Sequence, residues 1–372
     1  MRHRKRKVLW VLLAFAIVLI AMRAALPEVL QRYVNRTLDS AEGYSGQVGD
    51  IDLALWRGAY VINNVEIDKA TGEVFAPLFS ARKVDLSLLT SALLRGKLVG
   101  ELAFHQPLLN IVVEDSASSE GVQQTGEQAD WRQVVRDLFP LRLDRVEIHD
   151  GEFHFRKPDA SPPVDAYLTQ IEGTLTNLTN SRELSDSLAA NLELQAKAMQ
   201  KGELTISMQM DPYREQAHFN FNGKLVNLEM DAIDQLVMAY TPIDIEAGSL
   251  DLVTELAAKD GRITGYVKPL LRDIDVFDWR KDVKEQGDNL FQAAWEGLVG
   301  GIAELLENQP RDQFATRIPI DGQIESPDTG TLSAVLNILR NAFISAFEAN
   351  LEGSVNPSDV EQNGDQPEEP QE

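Results

Sequence analysis

Apolar and polar residues alternate with a period of two along much of the chain, as they do in strands that bury one face. The first clear run places Ile51, Leu53 and Leu55 next to Asp50 and Asp52. Later runs have as their larger apolar members Val65, Ile67, Val84, Leu86, Leu88, Leu109, Ile111, Val113, Leu175, Leu192, Leu194, Leu204, Ile206, Met208, Met210, Phe219, Phe221, Leu250, Leu252 and Ile263. These runs predict about fourteen half-buried antiparallel strands.

One segment predicts a hairpin. The sequence LDRVEIHDGEFHFR covers Leu143 to Arg156 and has Asp-Gly at its centre. Asp-Gly between alternating apolar residues is typical of a two-residue turn. Such a turn at Asp150 and Gly151 would pair Ile148 with Phe153 on the buried face.

Helical spacing is confined to four segments. They are 27–39, a short amphipathic segment at 131–139, and two longer segments at 279–308 and 331–349. In the first of them, Leu30, Tyr33, Val34 and Leu38 form one apolar stripe. Helices this few cannot cover so many strands, so the sheet is expected to fold on itself. The predicted class is therefore mainly β with α (α+β): a long antiparallel, curled sheet with a few amphipathic helices, which the family resemblance given below makes trough-like.

The N-terminus predicts a membrane anchor. Residues 8–22 form fifteen consecutive residues without a polar side chain, preceded by a basic cluster in residues 1–7. Fifteen is short for a span and also fits a signal peptide, but no workable cleavage site follows the run. We expect an uncleaved single span over 8–26, with residues 1–7 in the cytoplasm. Its main apolar residues are Val8, Leu9, Trp10, Phe15, Ile20 and Met22.

Charge and composition define the remaining regions. The net charge is −23, which disfavours binding to nucleic acid, and the chain has no cysteine. Residues 114–130 lack large hydrophobes apart from Val122 and predict a flexible loop, whereas 356–372 predict a disordered acidic tail. The region between anchor and tail, 27–355, is expected to be one β-rich domain.

No catalytic motif is present in the sequence, so we expect a protein that is not an enzyme and that has no catalytic residues, no metal site and no cofactor. His149, Asp150, Glu152 and His154 come nearest to a metal cluster. However, the predicted turn explains Asp150, and the histidines fall on a solvent-facing strand surface. Asp50 and Asp52 also fit an outward strand face.

Several segments, taken in order, resemble AsmA-like envelope proteins, in particular the subgroup called domain of unknown function 748. The segments are YSGQVGDIDLALWRGAYVINNVEI from Tyr44, PLRLDRVEIHDGEFHFRKP from Pro140, GYVKPLLRDIDVFD from Gly265, RIPIDGQIESPDTG from Arg317 and LRNAF from Leu339. The resemblance implies a protein of the Gram-negative inner membrane whose body lies in the periplasm. It also implies phospholipid transfer, or support of outer-membrane assembly, through an apolar β-trough.

The sequence leaves two alternatives for the apolar strand faces. They could shelter phospholipid, in which case we expect lipid contact at Leu204, Ile206, Met208, Met210, Phe219 and Phe221. They could instead form a solid core, and the protein would then be a non-enzymatic envelope scaffold or interaction module. Membrane phospholipid, an envelope protein or a second copy of the chain are the partners that these alternatives imply.

Overall fold

A computed structural model describes residues 10, 25–54, 58–71, 74–88, 99–113, 124–126, 134, 138, 142–177, 190–211, 216–240, 245–276, 313–315 and 317–323. Of the predicted anchor, Trp10 is helical and exposed, whereas Val8, Leu9, Phe15, Ile20 and Met22 lie outside these residues. No helix within the described ranges is long and apolar enough to cross a membrane. The segments 1–7, 279–308, 331–349 and 356–372 also lie outside them.

The fold is mainly β, as the alternation predicts, with one large sheet and few helices. Its strands are β1 (Tyr44–Ala54), β2 (Ala59–Lys69), β3 (Phe79–Leu88), β4 (Val99–Val112), β5 (Arg142–Lys157), β6 (Val164–Thr176), β7 (Ala190–Ala198), β8 (Gly202–Met210), β9 (Phe219–Glu229), β10 (Ile245–Lys259), β11 (Arg262–Val276), β12 (Gln313–Ala315) and β13 (Ile318–Gln323). Helix α1 covers residues 25–38 and helix α2 is Asp234–Tyr240.

The strands lie in chain order from β1 to β12, and β13 pairs with β11 beside β12. The prediction of an antiparallel sheet is wrong at one pair, because β4 and β5 run parallel. A parallel pair needs a long crossover connection. Residues 113–141 make that crossover here, and Val134 and Leu138, the described positions of the helix predicted at 131–139, are helical.

The predicted hairpin at Asp150-Gly151 is wrong, because both residues lie inside the single sixteen-residue strand β5. Ile148 pairs with Gly173 and Phe153 pairs with Leu168, both of strand β6. Asp150 does have a positive φ of 53°, but it serves a β-bulge at which the β5–β6 register shifts. The left-handed preference of Asp-Gly therefore bends a strand in this protein and does not reverse it.

The two faces of the sheet differ in polarity from the first strand to the last. One row of directly paired residues on the apolar face runs through Ile51, Ile62, Val84, Phe104, Ile148, Gly173, Leu194, Ile206, Gly223, Thr254, Val267 and Ile318. The opposite face carries the charged and amide side chains. The strands whose burial the structure describes thus have the half-buried character that their period predicts.

The sheet is not strongly curled, in contrast to the predicted trough. Closing a sheet on itself requires its first strand to meet its last, and the outer edge of β1 is occupied by side chains of α1. Helix α1 and the crossover also cover the apolar face over β1–β4, so burial there does not depend on curling. The result is a broad face that is covered at its N-terminal end.

Candidate functional site

An apolar cavity of about 520 Å³ lies between α1, the crossover and the first strands of the sheet. Its walls are almost entirely aliphatic and aromatic, with Thr125 and Gly126 as the exceptions. Helix α1 contributes Val34 and Leu38, one helical turn apart, and the crossover contributes Val134 and Leu138. The strand residues are Val48, Ile62, Val65, Ile67, Phe79, Val84, Phe104, Leu109 and Ile111, and Leu78 lines the cavity from the position just before β3.

Helix α1 is held over this cavity by a polar stripe at i, i+4 and i+8. The Gln31 side-chain amide donates to the carbonyl oxygens of Val48 (3.1 Å) and Gly49 (2.6 Å). The Asn35 side-chain oxygen accepts from the Val48 amide at 3.0 Å. Asp39, just after the helix, accepts from the Gly46 amide at 3.2 Å. One face of the helix thus satisfies the edge of β1, while Val34 and Leu38 point toward the cavity.

Buried polar residues fix the crossover to the sheet, next to Thr125 and Gly126 of the cavity wall. Gln124 is fully buried and exchanges two backbone hydrogen bonds with Val112, of 2.8 and 2.9 Å. Its side-chain amide also donates to the carbonyl oxygen of Asn110 at 3.2 Å. The fully buried Asn110 accepts from Arg156 at 2.6 Å. This part of the predicted loop 114–130 therefore forms a wall of the cavity.

The side chain of Tyr60 lies in apolar surroundings, because it packs against the cluster of buried residues that includes Val34, Ile62 and Val84. Burial, with a smaller contribution from Tyr33, raises the pKa of Tyr60 from 10.0 to about 12. An ionised phenol is therefore strongly disfavoured there, as expected where the surroundings are apolar.

The six residues predicted to face lipid do share the apolar face, but they lie on β8 and β9, far along the sheet from the cavity. Met208 is directly opposite Phe221, and Met210 is opposite Phe219. Leu204 and Ile206 lie on the same face of β8 as Met208 and Met210, and all six residues are half-buried. The structure thus places them together on the apolar face and outside the cavity walls.

The cavity residues themselves were missed as a site. The signal was present, because Val65, Ile67, Val84, Leu109 and Ile111 are members of the alternating runs. The alternating runs cannot show that α1 and the crossover leave a cavity between themselves and these strands. The depth of the site is thus a property of packing between segments distant in the chain.

The polar face accounts for the histidines and carboxylates that the sequence singles out. The two ring nitrogens of His149 lie 3.2 Å from Glu147 and 3.1 Å from Glu172, and the ring stacks on His105 at 5.2 Å. His154 lies 2.7 Å from Asp165. In the part of the chain that the structure describes, no group of three or more such side chains is arranged to hold a metal ion.

The paired aspartates at the start of the sheet also have a structural role. The Asn63 side-chain amide donates to Asp50 and to Asp52, both at 3.1 Å. The three side chains form a cross-strand bridge between β1 and β2 on the polar face.

No model of a known protein family matches the chain, and no curated protein matches it either.

Proposed function

We propose that this chain is an inner-membrane-anchored, periplasmic protein of the AsmA-like type that handles phospholipid without catalysing a reaction. Either phospholipid transfer or support of outer-membrane assembly fits this role. The observation that carries the proposal is the apolar face, on which directly paired and mostly aliphatic residues run from β1 to β13, together with the cavity at its N-terminal end. The walls of this cavity of about 520 Å³ are almost entirely apolar, which suits an acyl chain.

The mechanism would be passive. Acyl chains would lie on the apolar face, and the gain is about 25 cal/mol for each Å² of apolar surface removed from water. Headgroups would stay at the wet ends of the strands. The apolar face would act as an open surface, along which an acyl chain moves from strand to strand without leaving apolar surroundings.

The position of the cavity suits loading from the membrane. The described part of helix α1, residues 25–38, overlaps the end of the predicted span 8–26, and it contributes Val34 and Leu38 to the cavity wall. A lipid leaving the outer leaflet of the inner membrane would therefore meet the cavity first. Leu204, Ile206, Met208, Met210, Phe219 and Phe221 would contact it later along the sheet.

The chain has no cysteine, so single-cysteine variants test the proposal without background labelling. A benzophenone probe on Phe104→Cys would report on the cavity, and one on Met208→Cys would report on the row over β8. Full-length protein is extracted from membranes in mild detergent after irradiation, and adducts are read by mass spectrometry. We expect a phospholipid adduct at both positions.

The chain offers matched controls at a residue adjacent to each probe position. His105→Cys and Ser207→Cys place the same probe on the same strands but on the polar face. We expect no lipid adduct at either control. Equal labelling on both faces, or no adduct at Phe104→Cys and Met208→Cys, would sink the proposal.

A scaffold with a solid core is the second candidate. The tight burial over β3 and β4 favours it, since Val84, Leu86 and Leu102 are only 2–3 % exposed. On this reading, probes on the apolar face would capture segments of the chain itself. Probes on exposed positions would capture one dominant envelope protein, or a second copy of the chain.

A further inference from the structure

A second concave site lies on the opposite, polar face. A groove of about 770 Å³ crosses β7 to β11. Along it, Asn191 of β7 is directly opposite Gln209 of β8, and Gln209 is opposite Asn220 of β9. Three strands in succession thus present an amide side chain at the same level. Asparagine is depleted in strands, so an amide row of this kind is not what strand formation alone would select.

A parallel row runs beside the amides. Glu193, Ser207, Asn222, Glu255 and Tyr266 are directly paired from β7 to β11. The side chains of Tyr266 and Glu255 are hydrogen-bonded. Arg317 closes this end, because its guanidinium lies over the Tyr266 ring at 4.0 Å from the centroid. The groove is therefore lined by two polar rows with Leu192, Met208, Phe221 and Leu256 between them, and it has a defined end.

The amide side chains of the groove have hydrogen-bonding capacity to spare. Several outward charges beyond the groove pair with each other, as in Lys197–Glu203 at 2.7 Å and Lys83–Asp85 at 2.7 Å. Within the described residues, the side chains of Gln209, Asn220 and Asn222 take part in no hydrogen bond. All three are exposed at the floor of a concavity.

We propose that this groove binds a neutral, hydroxyl-rich glycan. Each amide offers a donor and an acceptor from one planar group, which matches neighbouring sugar hydroxyls, and Glu193 accepts from hydroxyls. The net charge of −23 and the two glutamates disfavour phosphates and polyanions. Five strands at about 4.8 Å spacing give a length of about 20 Å, enough for several sugar rings.

Isothermal titration of the full-length chain with cellotetraose and with chitotetraose tests this proposal. The detergent must lack a sugar headgroup, because a maltoside would compete. We expect saturable binding of at least one probe. Asn222→Ala and Gln209→Ala should each weaken it about three- to tenfold, the effect of losing one or two hydrogen bonds.

Gln195→Ala is the matched control, since Gln195 is an exposed amide on the same face of β7 but outside the groove. We expect unchanged affinity for it, and an unchanged urea midpoint for all three variants. No binding of either probe, or equal weakening by Gln195→Ala, would overturn the inference. The lipid adducts at Phe104→Cys form on the other face, so the two proposals succeed or fail separately.

Discussion

At the scale of single residues, the close approach of β4, β5 and β6 centres on two glycines that contact Ile148. A Cβ atom at Gly151 would lie 2.9 Å from Cγ2 of Ile148 and 3.2 Å from both Ile171 and Pro107. At Gly173, the nearest atom would be 3.6 Å away, which is ordinary contact. The two positions therefore tolerate a methyl group very differently.

We expect Gly151→Ala to lower the free energy of unfolding by about 1–3 kcal/mol, since the added carbon overpacks three strands at once. Gly173→Ala should change it by less than about 1 kcal/mol and with either sign. Urea unfolding followed by circular dichroism measures both. Equal midpoints for the two variants would show that the contacts at Gly151 can relax.

Tyr60 predicts a loss of stability at high pH. Burial raises its pKa from 10.0 to about 12 in the folded protein, so the neutral phenol is favoured there. The contribution of Tyr60 to the free energy of unfolding is complete below pH 10 and is lost as the pH rises toward 12. A shift of this size corresponds to about 2–3 kcal/mol.

The measurement is the urea midpoint between pH 9 and pH 12, compared with Tyr60→Phe, which cannot ionise. We expect the wild-type midpoint to fall more steeply than that of Tyr60→Phe over this range. Parallel curves would contradict the assignment of the pH dependence to Tyr60.

At the scale of elements, α1 serves as the cap of the first strand. Gln31, Asn35 and Asp39 take the place of a neighbouring strand along β1, and Gly46 lets the helix come close. A Cβ atom at Gly46 would lie 2.5 Å from the Cβ of Leu38. The helix and the strand edge are therefore a single packing unit.

Asn35→Ala should speed hydrogen exchange at the Val48 amide about tenfold, because that N–H loses its partner. Exchange in β3, which α1 does not cap, should stay unchanged. Arg36→Ala is the control, as Arg36 is an exposed residue of the same helix. Faster exchange at every strand would mean that the variant unfolds globally.

The elements show what could be predicted from the sequence. The period-two runs gave the strands and their buried faces, because that period depends only on local geometry. Leu30, Val34 and Leu38 do form the buried stripe of α1, while Tyr33 remains exposed. The parallel pairing of β4 and β5 could not be predicted, because the period-two pattern of a strand is the same for a parallel and an antiparallel neighbour.

The Asp-Gly pair shows a different limit. Asp and Gly tolerate positive φ wherever it is needed, and both a hairpin and a bulge need it. The choice at Asp150 is made by neighbours: the Gln106 side-chain amide donates to its carboxylate at 3.0 Å, and its backbone amide donates to Glu172 at 2.9 Å. These partners lie on β4 and β6, more than twenty residues away in the chain.

At the scale of the whole molecule, the candidate site is assembled from segments far apart. The cavity needs Val34 from α1, Val65 from β2 and Val134 from the crossover. Alternation identified the apolar face, and hence the region of Met208 and Phe221. It did not identify the place where α1 and the crossover leave a cavity over that face. Twelve strands in order, at about 4.8 Å spacing, give a path of about 50 Å along the sheet.

The capped edge of β1 predicts how copies of the chain behave toward each other. A Gln31→Ala, Asn35→Ala, Asp39→Ala triple variant exposes the β1 edge for pairing. We expect it to form larger species with increasing concentration, measured by light scattering of the purified full-length protein. Arg32→Ala with Arg36→Ala should behave like the wild type. An identical size distribution for the triple variant would contradict this role of the cap.

The cap at β1 also sets a rule for assembly by strand pairing. A head-to-tail filament needs two compatible ends on every copy, and α1 removes one of them. Copies could then meet through strand edges only at the C-terminal end, which closes the assembly at two. Helix α1 would thus limit assembly through strand edges to a dimer. Any lipid path built in this way would extend over one or two molecules, whatever the concentration of the protein in the membrane.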